Sequence, residues 1–348
     1  MGIISKIAVG VFLVFATVSA AAADYRLIVP QKVGGGTSVW ASIVAKELEK
    51  YLDEPVVLEH LPSARDIGGF NEFHNELQND DKAIMVSHGG NGVSFLQENV
   101  DYNYADYDSI GLMNLNIIVG KRVGDNLQKV RFAAGSGMVP EAFAITMLMC
   151  GQMDYALYVT CFNEKVVWVS GMSGGERRLA FKRGELNATR ENPAAYKKHV
   201  EGDINAELWF HHGILEAGLH RDDPNYPDHQ FEMLFTRKKS TYPTGDFYDA
   251  YKLVKSFRDG MQKALWVHKG NPNRDKLVEA LRQVATNPES VAAIEAKVGK
   301  YQWLIGDEGN YHRDYLMTLI TKESLHTLVD FNKEALGLDS IYKENLVD

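Results

Sequence analysis

The chain has 348 residues, 45% of them hydrophobic and 24% charged, with a formal net charge of -9. That balance is ordinary for a globular protein, and the negative charge argues against nucleic acid or an anionic membrane as partner. A chain of this length exceeds one ordinary core, so two domains are expected.

Residues 1–23 read as a secretory signal peptide. Lys6 precedes an apolar run from Ile7 to Val18, and Ser19, Ala20, Ala21, Ala22 and Ala23 supply the small residues that a signal peptidase accepts. The run falls short of the roughly 20 residues that span a bilayer. Cleavage next to Ala23 is expected to deliver a soluble chain to the periplasm, its net charge lowered to -10 by the loss of Lys6.

The mature part opens with a strand from Leu27 to Pro30, followed by Gly34, Gly35, Gly36 and two residues suited to capping a helix, Thr37 and Ser38. Trp40, Ile43, Val44, Leu48, Tyr51 and Leu52 recur at helical spacing and predict one buried face. A strand from Val56 to Leu61 leads into loop 62–69, which contains Ser63 and Arg65. A helical segment then precedes the strand Ala83 to Ser87 and the loop with Gly89 and Asn91. Strand, glycine-rich loop and helix in repetition predict an α/β fold of mostly parallel sheets flanked by helices.

The pattern restarts at Ile117 to Val119 and passes through a strand at Val130 to Ala133. Next come the loop with Gly135, Ser136 and Gly137, a helix ending at Cys150, and strands at Ala156 to Thr160 and Val166 to Val169. Gly174 and Gly175 open a helix from Glu176 to Lys182. Residues 187–243 read as polar and irregular, with His211, His212, His220 and His229 as solvated histidines; their spacing does not suit a helical zinc site, and no metal or cofactor is expected. An amphipathic helix follows Asp246, then a strand from Ala264 to His268 and a helix with Leu277, Leu281 and Val284 on one face, ended by Asn287 and Pro288. The expected domains are 24–122 plus 264–348, and 123–263.

Cys150 and Cys161 are the two cysteines. Export makes a disulfide between them the expectation, with two buried thiols as the alternative. The Ser173-Gly174-Gly175-Glu176 run matches the signature loop of ABC-transporter ATPases, yet the chain has no glycine-rich phosphate loop ending in Lys and Ser or Thr. It is read instead as a strand-to-helix loop. Ser136 lacks the glycines two residues to each side that a nucleophile elbow has, and no carboxylate pair stands out, so catalysis is not expected.

Binding is the stronger signal. Glycine- or hydroxyl-rich loops follow apolar strands at 34–38, 62–69, 89–92, 135–137 and 173–175. In open α/β sheets, ligands bind outside the carboxyl ends of strands, where helix N-termini present unpaired N–H groups to an anion. The ligand-binding positions are therefore Gly35, Gly36, Thr37, Ser38, Ser63, Gly89, Asn91, Gly135, Ser136, Gly137, Gly174 and Gly175. Loops 35–38 and 135–137 are expected to hold one carboxylate through N–H and hydroxyl donors, with neither Arg65 nor Arg190 as the primary anchor.

The segment from Leu27 to Phe70 resembles the opening of the extracytoplasmic receptors of tripartite tricarboxylate transporters. The similarity rests on Val29-Pro30, the loop Gly34 to Thr37, and Pro55-Val56-Val57-Leu58-Glu59. Tyr107 to Met113, Val169 to Thr189 and Ala264 to Ser290 are similar to later family segments. The resemblance implies a two-domain Venus-flytrap, or periplasmic-binding-protein, fold and a monomeric receptor that delivers a small organic carboxylate to a permease of one large and one small subunit. Several places depart from the family pattern: the shortened stretch between Arg122 and Val130, the Ser170-Gly171-Met172-Ser173 approach to Gly174, Arg65-Asp66, and the long 187–243 region. A secreted hydrolase on a similar scaffold, or a receptor feeding a sensor kinase, are the alternative readings.

Overall fold

The structure, a computed structural model, describes residues 24–63, 67–134, 139–216, 219–338 and 342–343. The signal segment and the site positions Arg65, Gly135, Ser136 and Gly137 lie outside the described residues.

The chain begins with β1 (Tyr25–Val29), α1 (Gly36–Leu52), β2 (Val56–His60), α2 (Ile67–Glu76), β3 (Ala83–His88) and β4 (Tyr107–Asn114). It crosses into β5 (Ile118–Arg122), β6 (Val130–Ala133), α3 (Pro140–Cys150), α4 (Tyr155–Lys165), β7 (Val166–Val169), α5 (Gly174–Lys182), β8 (Ala188–Glu191) and α6 (Pro193–His199). Then follow β9 (Ala206–His211), β10 (Ile214–Glu216), β11 (Leu219–Arg221), α7 (Phe231–Lys239) and α8 (Asp246–Gly260). The chain returns through β12 (Lys263–His268), α9 (Arg274–Thr286), α10 (Pro288–Val298), β13 (Gln302–Ile305), α11 (Asp307–Met317) and α12 (Lys322–Glu334).

The large sheet has the order β13-β4-β12-β3-β1-β2. β1 runs parallel to β2 and β3, whereas β12 is antiparallel to β3 and β4, and β13 is antiparallel to β4. The sheet is thus mixed rather than mostly parallel. The cause is where α8 delivers the chain: Lys263 pairs with His88, so β12 starts beside the end of β3 and must run back along it. In the second unit, β5 is the centre of the antiparallel sheet β8-β5-β9, and β6 and β7 form a parallel pair.

One face of the large sheet packs Leu27, Val29, Ile84, Val86, Leu265 and Val267 beneath Trp40, Val44 and Leu48 of α1 and Leu277, Leu281 and Val284 of α9. The opposite face holds Met85, Trp266, Phe73 and Tyr107, and this core continues without a break into α3, α4, α8 and α12. Phe331 of α12 lies 4.6 Å from Phe143, 4.9 Å from Phe247 and 5.3 Å from Phe162, ring centre to ring centre. The C-terminal helix therefore packs on residues of 123–263, although it was expected with the first domain.

Two further expectations are corrected. Ala156 to Thr160 is helical, not a strand: Tyr158 and Phe162, four residues apart, bury one face of α4, and Tyr158 stacks on Phe247 at 4.0 Å. Cys161 on that helix is joined to Cys150 at the end of α3. Closing this short loop contributes about 3 kcal/mol in the chain-entropy account. Residues 187–243 are not irregular, since they supply β8, α6, β9, β10, β11 and α7. Among the described residues no single helix is long and apolar enough to cross a membrane.

The crossing from β4 to β5 lies against the end of α8. Leu115 N–H donates to the Asp259 carbonyl at 2.9 Å, and Asn116 joins Asp223 at 2.8 Å and Gly213 N–H at 3.1 Å. Both strands that connect the units run side by side here.

Candidate functional site

The first half of the site is built where β1 and β3 end. Gly34 has φ of 85°, a conformation that costs a residue with a side chain, and turns the chain into α1. Gly35 is the N-cap, with no side-chain cap, and the first turn carries no acidic residue. The N–H groups and partial positive charge of this terminus thus await an acceptor. The Thr37 hydroxyl accepts from Lys263 Nζ at 3.0 Å, and both residues are buried. The Ser38 hydroxyl lies 2.9 Å from His60 Nε2 and accepts Gly34 N–H at 3.3 Å. Gln31 Nε2 contacts His88 Nε2 at 2.5 Å beside them.

Ser63, Gly89 and Asn91 make contacts within the fold. Ser63 Oγ accepts N–H groups of Gly68 at 2.8 Å and Gly69 at 3.4 Å, which caps the start of α2. Gly89 and Asn91 are buried; a Cβ on Gly89 would stand 2.0 Å from the Arg258 carbonyl oxygen. The Asn91 amide oxygen accepts His88 N–H at 3.3 Å. That loop is the contact of β3 with α8.

The second half gathers at the starts of α3 and α5. Val139 leaves α3 without a side-chain cap, and Glu141 in its first turn is fully buried. Nη1 of Arg258 donates to both Glu141 oxygens, at 2.9 and 3.1 Å, while Arg190 Nη1 stands 3.5 Å away. At α5, Ser173 and Glu176 form a reciprocal cap, so that terminus already has a carboxylate. Gly175 is exposed and Gly174 half-buried; a Cβ on Gly174 would lie 3.8 Å from a terminal nitrogen of both Arg177 and Arg178. Burial lowers the Arg177 guanidinium below its usual range, opposed by Glu191 and Glu141.

His211, His212 and His220 belong inside the fold, not in solvent, whereas the His229 ring contacts the Pro227 carbonyl, at 2.9 Å, near the surface. His211 and His212 are fully buried. His212 Nδ1 lies 2.7 Å from Asp259, and His220 Nε2 lies 3.0 Å from Ser256. Lys255 pairs with Glu232, to which Tyr248 donates at 3.1 Å. Burial drives His220 well below the usual imidazole range, and it lowers His211 despite Asp222 at 3.0 Å. Among the described residues no cluster of His, Cys, Asp and Glu could hold a metal ion.

Of the expected positions, Gly35, Gly36, Thr37 and Ser38 are brought together with Lys263, and Gly174 with Arg177 and Arg178. Sequence reasoning missed Lys263, Arg177, Arg258 and Glu141. Lys263 had a signal, as a cation opening the apolar strand that ends at His268; Glu141 had one as an acid beside Pro140 ahead of an apolar helix. Two cavities lie elsewhere: one of about 370 Å³ near Ile294 and Trp303, and one of about 520 Å³ near Tyr311 and His312. Neither is lined by a residue of the expected loops.

No family model matches the chain, and no curated protein matches it. Solved structures match its fold. The TctC solute-binding protein from Polaromonas superimposes with a TM-score of 0.53 at 13% identity, over 85% of this chain and 98% of that one. For the periplasmic binding protein BugD the values are 0.54 and 16%, over 89% and 97%. A Rhodopseudomonas palustris protein solved with adipate gives 0.57 and 10%, over 88% and 97%. The chain thus has the α/β, two-domain fold of the periplasmic solute-binding proteins. Within that class its likeness is to the TctC and BugD type, the fold implied by the resemblance to tripartite tricarboxylate receptors.

Proposed function

We propose that this chain is a periplasmic receptor, not an enzyme, that captures a small organic carboxylate between its two domains. The observation that carries the reading is the start of α1, where uncapped N–H groups stand beside Thr37 and the buried ammonium of Lys263. A carboxylate there gains charge-assisted hydrogen bonds, worth roughly 1.5–3 kcal/mol each. The solved neighbours of this fold, one holding adipate, support a binding role. Export by residues 1–23, domains divided near residues 122 and 263 with α12 set against the second, hinge closure on the ligand, and delivery by a monomer to a two-subunit permease complete the proposal.

A thermal-shift panel of mono-, di- and tricarboxylates tests it. A ligand at 100 times its Kd adds about 2.7 kcal/mol of stability. At least one carboxylate is expected to raise the melting temperature by several degrees; a flat response across the panel contradicts the reading.

A further inference from the structure

Four guanidiniums, Arg177, Arg178, Arg190 and Arg258, surround two buried carboxylates, Glu141 and Glu191. Their pairing is uneven. Arg178 makes two bonds to Glu191, at 2.8 and 2.9 Å. Arg258 makes two to Glu141, at 2.9 and 3.1 Å. Arg190 is left with Glu141 at 3.5 Å, and Arg177 with Glu191 at 3.7 Å and a bond of 2.9 Å to the Arg190 carbonyl. The Nε of Arg177 and the Nε of Arg190 are both buried without a hydrogen-bond partner among the described residues.

The adjoining charges do not offset this excess, because Lys255 pairs with Glu232 and Asp259 with His212. Glu176 is taken up by Ser173 at the exposed start of α5. Two under-paired guanidiniums in a largely dry site are costly. They match an incoming group with two negative charges and several acceptor oxygens, since each guanidinium presents a planar fork. A lone carboxylate would balance one of them.

We propose that Arg177 and Arg190 grip a dianionic phosphoryl group at the far end of the ligand whose carboxylate is held at α1. This assignment rests on the receptor reading above and names the ligand class as a phosphorylated organic acid.

Calorimetric titration at pH 7.5 with phosphoglycolate, succinate, acetate and inorganic phosphate tests it. Phosphoglycolate and succinate have the same length and differ at one end, and a phosphate monoester is mostly dianionic there because its second pKa is near 6. Phosphoglycolate is expected to bind at least tenfold more tightly than succinate. Arg190→Gln, at the less buried of the two positions, is expected to erase that preference. Arg190→Lys, which keeps charge without the fork, is expected to restore part of it. Equal binding of phosphoglycolate and succinate, with succinate bound, overturns this assignment and leaves the receptor reading standing. A preference that survives in Arg190→Gln overturns it as well. Failure of all four compounds to bind overturns this assignment, while the receptor reading is decided by the carboxylate panel above. Inorganic phosphate bound as tightly as phosphoglycolate, and lost in Arg190→Gln, supports the grip with the free ion as occupant and contradicts a carboxylate at α1.

Discussion

Glu141→Ala is expected to destabilise the protein by about 3–5 kcal/mol, the cost of removing one partner from a buried ion pair. Glu141 is fully buried and accepts two bonds from Arg258, with Arg190 nearby. Its loss leaves two guanidiniums facing each other in a low dielectric, where repulsion is screened little. Urea denaturation measures the effect, and the double variant Glu141→Ala, Arg258→Met is expected to recover much of it because the unpaired charge goes too. A loss below 1 kcal/mol in the single variant would mean that water or a rearranged side chain compensates these arginines.

Gly89→Val is expected to cost about 3 kcal/mol, at the upper end of ordinary overpacking. A Cβ at Gly89 would meet the Arg258 carbonyl oxygen at 2.0 Å and Gln262 Oε1 at 2.2 Å, and the first of these is backbone. The affinity of the folded fraction for the proposed carboxylate is expected to stay within about threefold, because the residue packs β3 against α8. If Gly89 instead lined the cleft, affinity would fall while the urea midpoint stayed put.

The elements legible in the sequence were those with strong local periodicity. α1 and α9 bury stripes at helical spacing, and β1, β2, β3 and β12 are short apolar runs closed by turn residues. The antiparallel placement of β12 was not legible, because strand direction depends on where α8 delivers the chain. Ala156 to Thr160 was misread because Leu157, Tyr158, Val159 and Thr160 suit a strand locally, and only the distant rings of Phe247 and Phe331 decide for a helix. The polar 187–243 stretch hid its order because much of its polarity is buried: Thr189, Glu191, His211, His212 and Glu232 have partners or neighbours far away in sequence. At the site, the glycine loop before α1 was visible from its composition. Lys263 stood out only as a cation opening an apolar strand; that it meets Thr37, 226 positions away, follows only from the sheet order.

The central claim, a carboxylate held at the start of α1 beside Lys263, is tested most directly by calorimetric titration of the carboxylate that gives the largest thermal shift, into the unaltered protein and into Lys263→Met. Methionine keeps most of the length of the side chain and removes its charge and donors. Loss of a charge-assisted bond of roughly 1.5–3 kcal/mol weakens binding about ten- to a hundredfold, and that is the expected result, with the fold intact by circular dichroism. An affinity unchanged in Lys263→Met would contradict the account.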